Sequence, residues 1–219
     1  MDHFIDQSIE FMPILAHGLR LTLLVAIGSL LLSTVLGLLL AFMRISGNVV
    51  LSGLARVLII IIRGVPAIVT LFYIYFVLPD VGIALTSLQA AVIGLGLAHS
   101  GYQAENFRAG IEAIDRGQTE AALSIGMGWG MCLWRVILPQ AVRIVLPSYG
   151  NSMVMLLKDS SLASTITVTE LSLQGKLLAA STFDNATVFT LVAVLYLSMS
   201  VPLTLLNNQL EKRMRRGRA

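Results

Sequence analysis

Charge is scarce in this chain: only 12% of its 219 residues are Asp, Glu, Lys or Arg, against about 25% in an ordinary soluble domain. With 56% hydrophobic residues and a mean hydropathy of +0.84, it cannot cover itself with a soluble surface. Apolar runs near twenty residues long point instead to one bundle of membrane spans, a single domain over 1–219. Cysteine is nearly absent as well. The single Cys132 excludes an intrachain disulfide, no Cys/His spacing suits zinc, and the thiol is expected to pack as a small apolar group. A nucleotide-binding loop is missing: Gly175-Lys176 is followed by Leu177 and lacks the matching upstream glycine. Neither a nucleophile elbow nor paired carboxylates are present, which argues against a membrane enzyme. The first and last apolar runs carry no acidic residue at mid-span, which disfavours the alternative of an ion-coupled carrier or channel subunit. The start, MDHFIDQSIE, is acidic without a basic n-region, so a cleaved signal peptide is not expected.

What is there divides into five runs, at 19–43, 57–78, 88–108, 136–157 and 186–206. The first carries Thr22, Gly28, Ser29, Ser33 and Gly37, small residues that let another helix approach closely. Arg44, Asn48 and Arg56 mark a polar turn. The second run contains Arg63-Gly64-Val65-Pro66, and the thirteen residues from Pro66 to Leu78 are too few to cross a bilayer. That span is therefore expected to begin before Arg63. The third is polar in its second half, through His99, Ser100, Tyr102, Gln103, Glu105 and Asn106; such groups at membrane depth face a bundle interior or a water-filled path. The fourth is bent by Pro139 and Pro147 and stops at Lys158-Asp159-Ser160-Ser161. Thr167 and Glu170 have capping-box spacing ahead of an amphipathic helix through Ala180.

Between the third and fourth runs lies a polar interruption, Gly117–Pro139. Its opening, 117–126, reads as a short helix with Glu120 in the first turn, where negative charge is favoured. Ala121 and Ala122 form a thin face that another protein can approach, and Gly126 takes the left-handed conformation at the end. Basic residues set the orientation. With five spans and a cytoplasmic tail at 211–219, twelve of the fifteen Lys/Arg lie inside and only Arg20, Lys158 and Lys176 outside. The N-terminus is then outside, the 117–126 helix is cytoplasmic, and the basic tail meets anionic lipid rather than nucleic acid.

Glu120-Ala121-Ala122, followed by Gly126 and then Leu138-Pro139, resembles the Glu-Ala-Ala signature of the membrane subunits of bacterial ATP-binding-cassette importers. The likeness extends in order along the chain and narrows to permeases for polar amino acids. Gly18-Leu19-Arg20-Leu21-Thr22-Leu23 resembles their Gly-x-x-x-Thr-Leu opening, and Arg63-Gly64-Val65-Pro66 their Arg-Gly-Thr-Pro. Residues 101–110 are similar to Ala-Tyr-x-x-Glu-x-x-Arg-Gly-Gly, departing at Gly101 and Ala109. Lys158-Asp159-Ser160-Ser161-Leu162 resembles Lys-Asp-Thr-Ser-Leu. The resemblance implies an all-α integral membrane protein of the type I importer architecture, about five transmembrane helices with a cytoplasmic coupling helix, in the bacterial inner membrane. It implies a permease that is not itself an enzyme and binds no cofactor, ATP and Mg being held by two separate cytoplasmic ATPase subunits. It further implies a second permease chain, identical or homologous, and an extracytoplasmic solute-binding protein.

Two groups of residues follow from this reading. Tyr102, Glu105, Asp159, Ser160, Ser161, Arg63 and His99 are candidates for the path of a polar amino acid. Gly117, Gln118, Glu120, Ala121, Ala122, Gly126, Leu138 and Pro139 are candidates for coupling to the ATPase. No metal site is expected.

Overall fold

The computed structural model describes residues 2–216, and among these the regular structure is helical throughout. The first helix, α1 (Asp2–Ile45), is far longer than the apolar run 19–43 and includes the acidic start of the chain. A tight turn follows, with Gly47 at φ 71° and Asn48 capping α2 (Val49–Gly64) by accepting the Val50 and Leu51 N–H groups. The expected polar turn over 44–56 thus shrinks to its first few residues. Arg44 belongs to α1, where it donates to Ser52 Oγ at 2.9 Å, and Arg56 lies within α2.

The second run departs most from a simple span. Val65 is extended, at φ −94° and ψ 128°, before Pro66, because proline drives its predecessor out of the helical region and offers no N–H of its own. The chain resumes as α3 (Ala67–Phe72), continues through a π-helical turn (Tyr73–Val77), and is bent by 97° relative to α2. The run at 57–78, expected as one span, is thus two helical segments meeting at a sharp bend.

Helix α4 (Ser87–Glu112) opens with a capping box between Thr86 and Gln89 and packs along α1. The small residues of α1 make that approach possible. Thr22, Ser29 and Ser33 are fully buried, Ser29 Oγ donates to the Val92 carbonyl at 3.2 Å, and a Cβ on Gly37 would stand 2.6 Å from Gln103 Cβ. Length and apolarity alone single out three spans, or four with the bent pair. At 26 residues, and so about 39 Å long, α4 is long enough but too polar. Its polarity is internal: His99, Ser100 and Gln103 are buried. The described helices thus give three or four spans by length and apolarity, against the five expected from the sequence.

The short helix α5 (Arg116–Ser124) and the single turn α6 (Trp129–Cys132) lead through a second π-helical turn (Leu133–Ile137) into α7 (Leu138–Asp159). The fourth membrane helix therefore starts at Trp129, earlier than the apolar run, and the π turn takes up the missing N–H of Pro139. After α7 come a 3₁₀ segment (Ser160–Ile166), α8 (Leu171–Thr182) and α9 (Asn185–Arg216). The basic tail to Arg216 prolongs α9 as helix; Gly217, Arg218 and Ala219 lie outside the described residues.

The expected capping box at Thr167 is absent, because Thr167 is left-handed and ends the 3₁₀ segment. Glu170 itself caps α8, accepting the Ser172 and Leu173 N–H groups. This fully buried carboxylate also accepts from Tyr196 Oη at 2.8 Å and from Thr22 Oγ1 at 3.2 Å. Thr22 in turn accepts the Leu171 N–H at 3.1 Å. One carboxylate thereby ties α8 to both α1 and α9.

Candidate functional site

Polar groups from three separate segments meet beside the break in the second membrane segment. Arg63 ends α2, His99 and Tyr102 lie three residues apart on one face of α4, and Asp159 ends α7. The Arg63 guanidinium carbon sits 5.1 Å from the Tyr102 ring centroid, a cation–π distance. The His99 and Tyr102 rings are 6.4 Å apart, and His99 Nε2 lies 3.0 Å from Asp159 Oδ2. His99 is almost covered, its side chain 8% exposed, whereas Asp159 is 40% exposed and Tyr102 is open. Among the described residues the Arg63 guanidinium makes no hydrogen bond or ion pair. The array therefore presents a free cationic fork, a phenol and a partly free carboxylate.

Backbone geometry brings these groups together. The extended Val65 ends α2 just beyond Arg63, and Gly101 lets α2 lie against α4. A Cβ at 101 would stand 3.0 Å from both Arg63 Cγ and Ile62 Cγ2. The departure from alanine at this position is thus the space that the Arg63 stem occupies.

The remaining path candidates are placed differently. Glu105 is bound to Arg108 at 2.7 Å, and Arg108 also reaches Glu112 at 2.5 Å, a ladder running along α4. Ser160 is buried and its hydroxyl donates to the Leu157 carbonyl at 2.7 Å, while Ser161 is half-buried. Next to this ladder, Asn106 donates to Ser152 on α7 at 3.3 Å. That link escaped the reading of the sequence, which offers no local signal for a partner 46 positions away.

The second group forms the α5 corner. Asp115 caps the helix, accepting the Gly117 N–H at 2.7 Å, so the helix begins at Arg116, one residue before the expected start at Gly117. Glu120 is consequently beyond the first turn, where the helix dipole has little hold on it. At the other end Gly126 has φ 83°. Its N–H reaches the Leu123 carbonyl at 3.0 Å and that of Met127 reaches Ala122 at 3.1 Å, the paired bonds of a Schellman cap. Ala122 faces inward onto Cys132 and Ile137. Gly117, Gln118, Glu120 and Ala121 face out, as does Leu123. Gln140, just past the half-buried Leu138 and the exposed Pro139, donates to Gln118 Oε1 at 3.4 Å and so links the corner to α7. The helix thus has a buried alanine as its foot and an exposed, lightly branched outer face.

A family model for the binding-protein-dependent transport system inner membrane component matches residues 33–216. The chain belongs to this family. The probable amino-acid ABC transporter permease protein YckA of Bacillus subtilis (strain 168) is 37% identical over 206 residues, 94% of this chain and 91% of its own length. The probable amino-acid ABC transporter permease protein PatM of Vibrio harveyi is 39% identical over 202 residues, 91% of each chain. Among solved structures, one described as the crystal structure of an amino acid ABC transporter with histidines superposes with a TM-score of 0.87 at 32% identity, over 94% of this chain and 97% of that one. The MetNI methionine ABC transporter in an inward-facing form gives a TM-score of 0.77 at 21% identity and shares the fold. The family accounts for an all-helical membrane subunit without a nucleotide loop: relatives of this permease are transport subunits. Among the described residues no group of His, Cys, Asp and Glu is placed to hold a metal ion.

Proposed function

We propose that this permease carries a polar amino acid across the bacterial inner membrane, through a path lined by Arg63, Tyr102, His99 and Asp159. The observation that carries the reading is the convergence of these four groups from α2, α4 and α7 around an unpaired guanidinium and a partly free carboxylate. A zwitterion needs both signs of charge: Arg63 suits its carboxylate by bidentate hydrogen bonding, and Asp159 suits its ammonium. Glu105, about one turn further along α4 and held by Arg108, continues the polar face toward the cytoplasm, and Ser161 borders Asp159. Lipid exposure of such a set would be costly, so a wet path between protein surfaces is the environment that accommodates it.

In the same reading, α5 is the coupling helix. Two separate ABC ATPase subunits bind and hydrolyse ATP with Mg, one docking on the exposed face of Glu120 and Ala121. A second permease chain completes the path, and an extracytoplasmic solute-binding protein delivers the cargo. The N-terminus is outside and the basic end of α9 is cytoplasmic, a reading supported by the distribution of Lys and Arg. Uptake by the whole complex in proteoliposomes tests the path. Asp159→Asn and Tyr102→Phe are expected to raise KM for the transported amino acid while leaving complex assembly intact. Unchanged uptake kinetics in both, and in Glu105→Gln, would refute the assignment.

A further inference from the structure

Two cavities of opposite character share a wall near the α5 corner. The first is an apolar slot of about 260 Å³ between α1, α4 and α7, lined by Thr34, Leu38, Phe107, Val142, Leu146 and Tyr149 among others. The Thr34 and Tyr149 hydroxyls bond to each other at 2.8 Å, so the walls offer a ligand little but hydrocarbon contact. Water gains nothing in such a space, and side chains around an empty one forfeit their packing. Its depth is that of one leaflet. Leu138, at the end nearest α5, precedes Tyr149 by eleven residues of helix, about 17 Å, and half of a bilayer's hydrocarbon core is about 15 Å. Thr34 likewise stands eleven residues before the end of α1 at Ile45. Spread over that depth, 260 Å³ is far too thin for a helix about 10 Å across. A single extended chain fits it.

The second cavity, about 560 Å³, meets the slot at Ile111 and is polar. Glu112, Arg116, Thr119 and Trp129 line it. Glu112 is already bound to Arg108, whereas among the described residues the Arg116 side chain makes no hydrogen bond or ion pair. Arg116 and Thr119 share one face of α5, turned away from the exposed Ala121. Trp129 is 58% exposed, and Trp134, one turn before Leu138, is 72% exposed. These are the two tryptophans of the chain, and an exposed indole sits best at the headgroup level of a bilayer. The exposed Arg135 beside them adds a second positive charge.

We infer that one phospholipid with an anionic headgroup occupies both cavities, an acyl chain in the slot and its phosphate on Arg116. Charge complementarity selects the anionic headgroup, since the carboxylate of the polar cavity is paired and its guanidinium is not. The lipid joins α5 to α1, α4 and α7, and so steadies the corner at which α5 leaves the bundle. Which leaflet supplies it rests on the proposed orientation; where it sits does not.

The test is photolabelling of the full complex in phosphatidylcholine nanodiscs that contain a little phosphatidylglycerol with a diazirine on one acyl chain. Adducts are mapped by peptide mass. They are expected on Leu38, Val142 and Leu146, and unlabelled phosphatidylglycerol should displace the probe better than added phosphatidylcholine does. Arg116→Gln should lower that preference about 5-fold, the worth of one guanidinium beside an anionic lipid, and Arg116→Lys should keep most of it. Val142→Trp fills the slot and should abolish its adducts, whereas Leu39→Trp, on the exposed face of α1, should not. Leu146→Phe repeats the blockade with a smaller ring should the tryptophan disturb assembly. Adducts spread evenly over the exposed Val35, Leu39, Leu197 and Leu205 would mean bulk lipid only and would overturn the inference. Slot adducts indifferent to headgroup charge, or persisting when the slot is filled, would overturn it as well. Labelling needs no transport, so failure of the proposed amino-acid path would leave these adducts unchanged.

Discussion

Replacing Gly126 by valine isolates the role of the α5 corner. Gly126 has φ 83°, and a Cβ added there meets nothing within 4 Å. The Cβ itself meets open space, so the main cost is the left-handed backbone, about 1–2 kcal/mol and highest for a β-branched residue. The cap that this conformation secures consists of two bonds, Gly126 to Leu123 and Met127 to Ala122, worth together about 1–3 kcal/mol. The penalty is thus comparable to the cap, and the last turn of α5 is expected to unwind. Nothing deeper gives way, because the corner is anchored separately by Ala122 against Cys132 and Ile137. Membrane insertion should be near normal. Binding-protein-stimulated ATP hydrolysis in proteoliposomes should fall about 5- to 30-fold, the factor that 1–2 kcal/mol sets on a two-state equilibrium. Gly126→Asn serves as the control, since asparagine enters the left-handed region readily and should retain most of the stimulation. Full stimulation in the valine variant would mean that the geometry of α5 carries no coupling. Failure of the valine variant to insert would mean that the corner is part of the fold.

Three further outcomes are expected. In a double-mutant cycle by thermal unfolding in detergent, Glu170→Gln and Tyr196→Phe should couple by about 0.5–3 kcal/mol, because the 2.8 Å bond between them joins α8 to α9; additive effects would refute that tie. Gly101→Ala puts a methyl group 3.0 Å from Arg63 Cγ, so it should raise KM for uptake with little loss of thermal stability, and an unchanged KM would mean that the guanidinium position is immaterial. A reporter fused after Ala219 should be cytoplasmic and one placed before Met1 extracytoplasmic; both on one side would refute an odd number of crossings.

How far the sequence discloses this molecule depends on whether a property is local. Hydropathy measures how deep a residue sits, not the path its backbone takes. The apolar run at 57–78 therefore looks continuous, although Val65-Pro66 holds the local signal for the bend. The same holds at α5. Reading the helix from Gly117 puts Glu120 in the first turn, whereas Asp115, two residues upstream, is the cap, and its Asx geometry is what a search for helix starts looks for. The small residues of α1 were legible because close approach needs only small side chains at helical spacing, whichever helix arrives. The Glu105–Arg108 pair was equally open to reading from its i, i+3 spacing.

The site is different. Arg63, His99, Tyr102 and Asp159 stand out one by one as polar groups in apolar runs, but the pairing of His99 with a carboxylate sixty positions away is decided by where α4 and α7 cross. Glu170 shows the same limit more strongly. Without a salt-bridge partner among the described residues, its buried carboxylate is held by donors from α8, α9 and α1, and no window of sequence contains all three. A polar or ionisable group inside this bundle needs either water or several converging hydrogen-bond partners. Glu170 has the donors. Among the described residues Arg63 has a single aromatic face and no hydrogen-bond acceptor, so its guanidinium is left to solvent or to a bound anion.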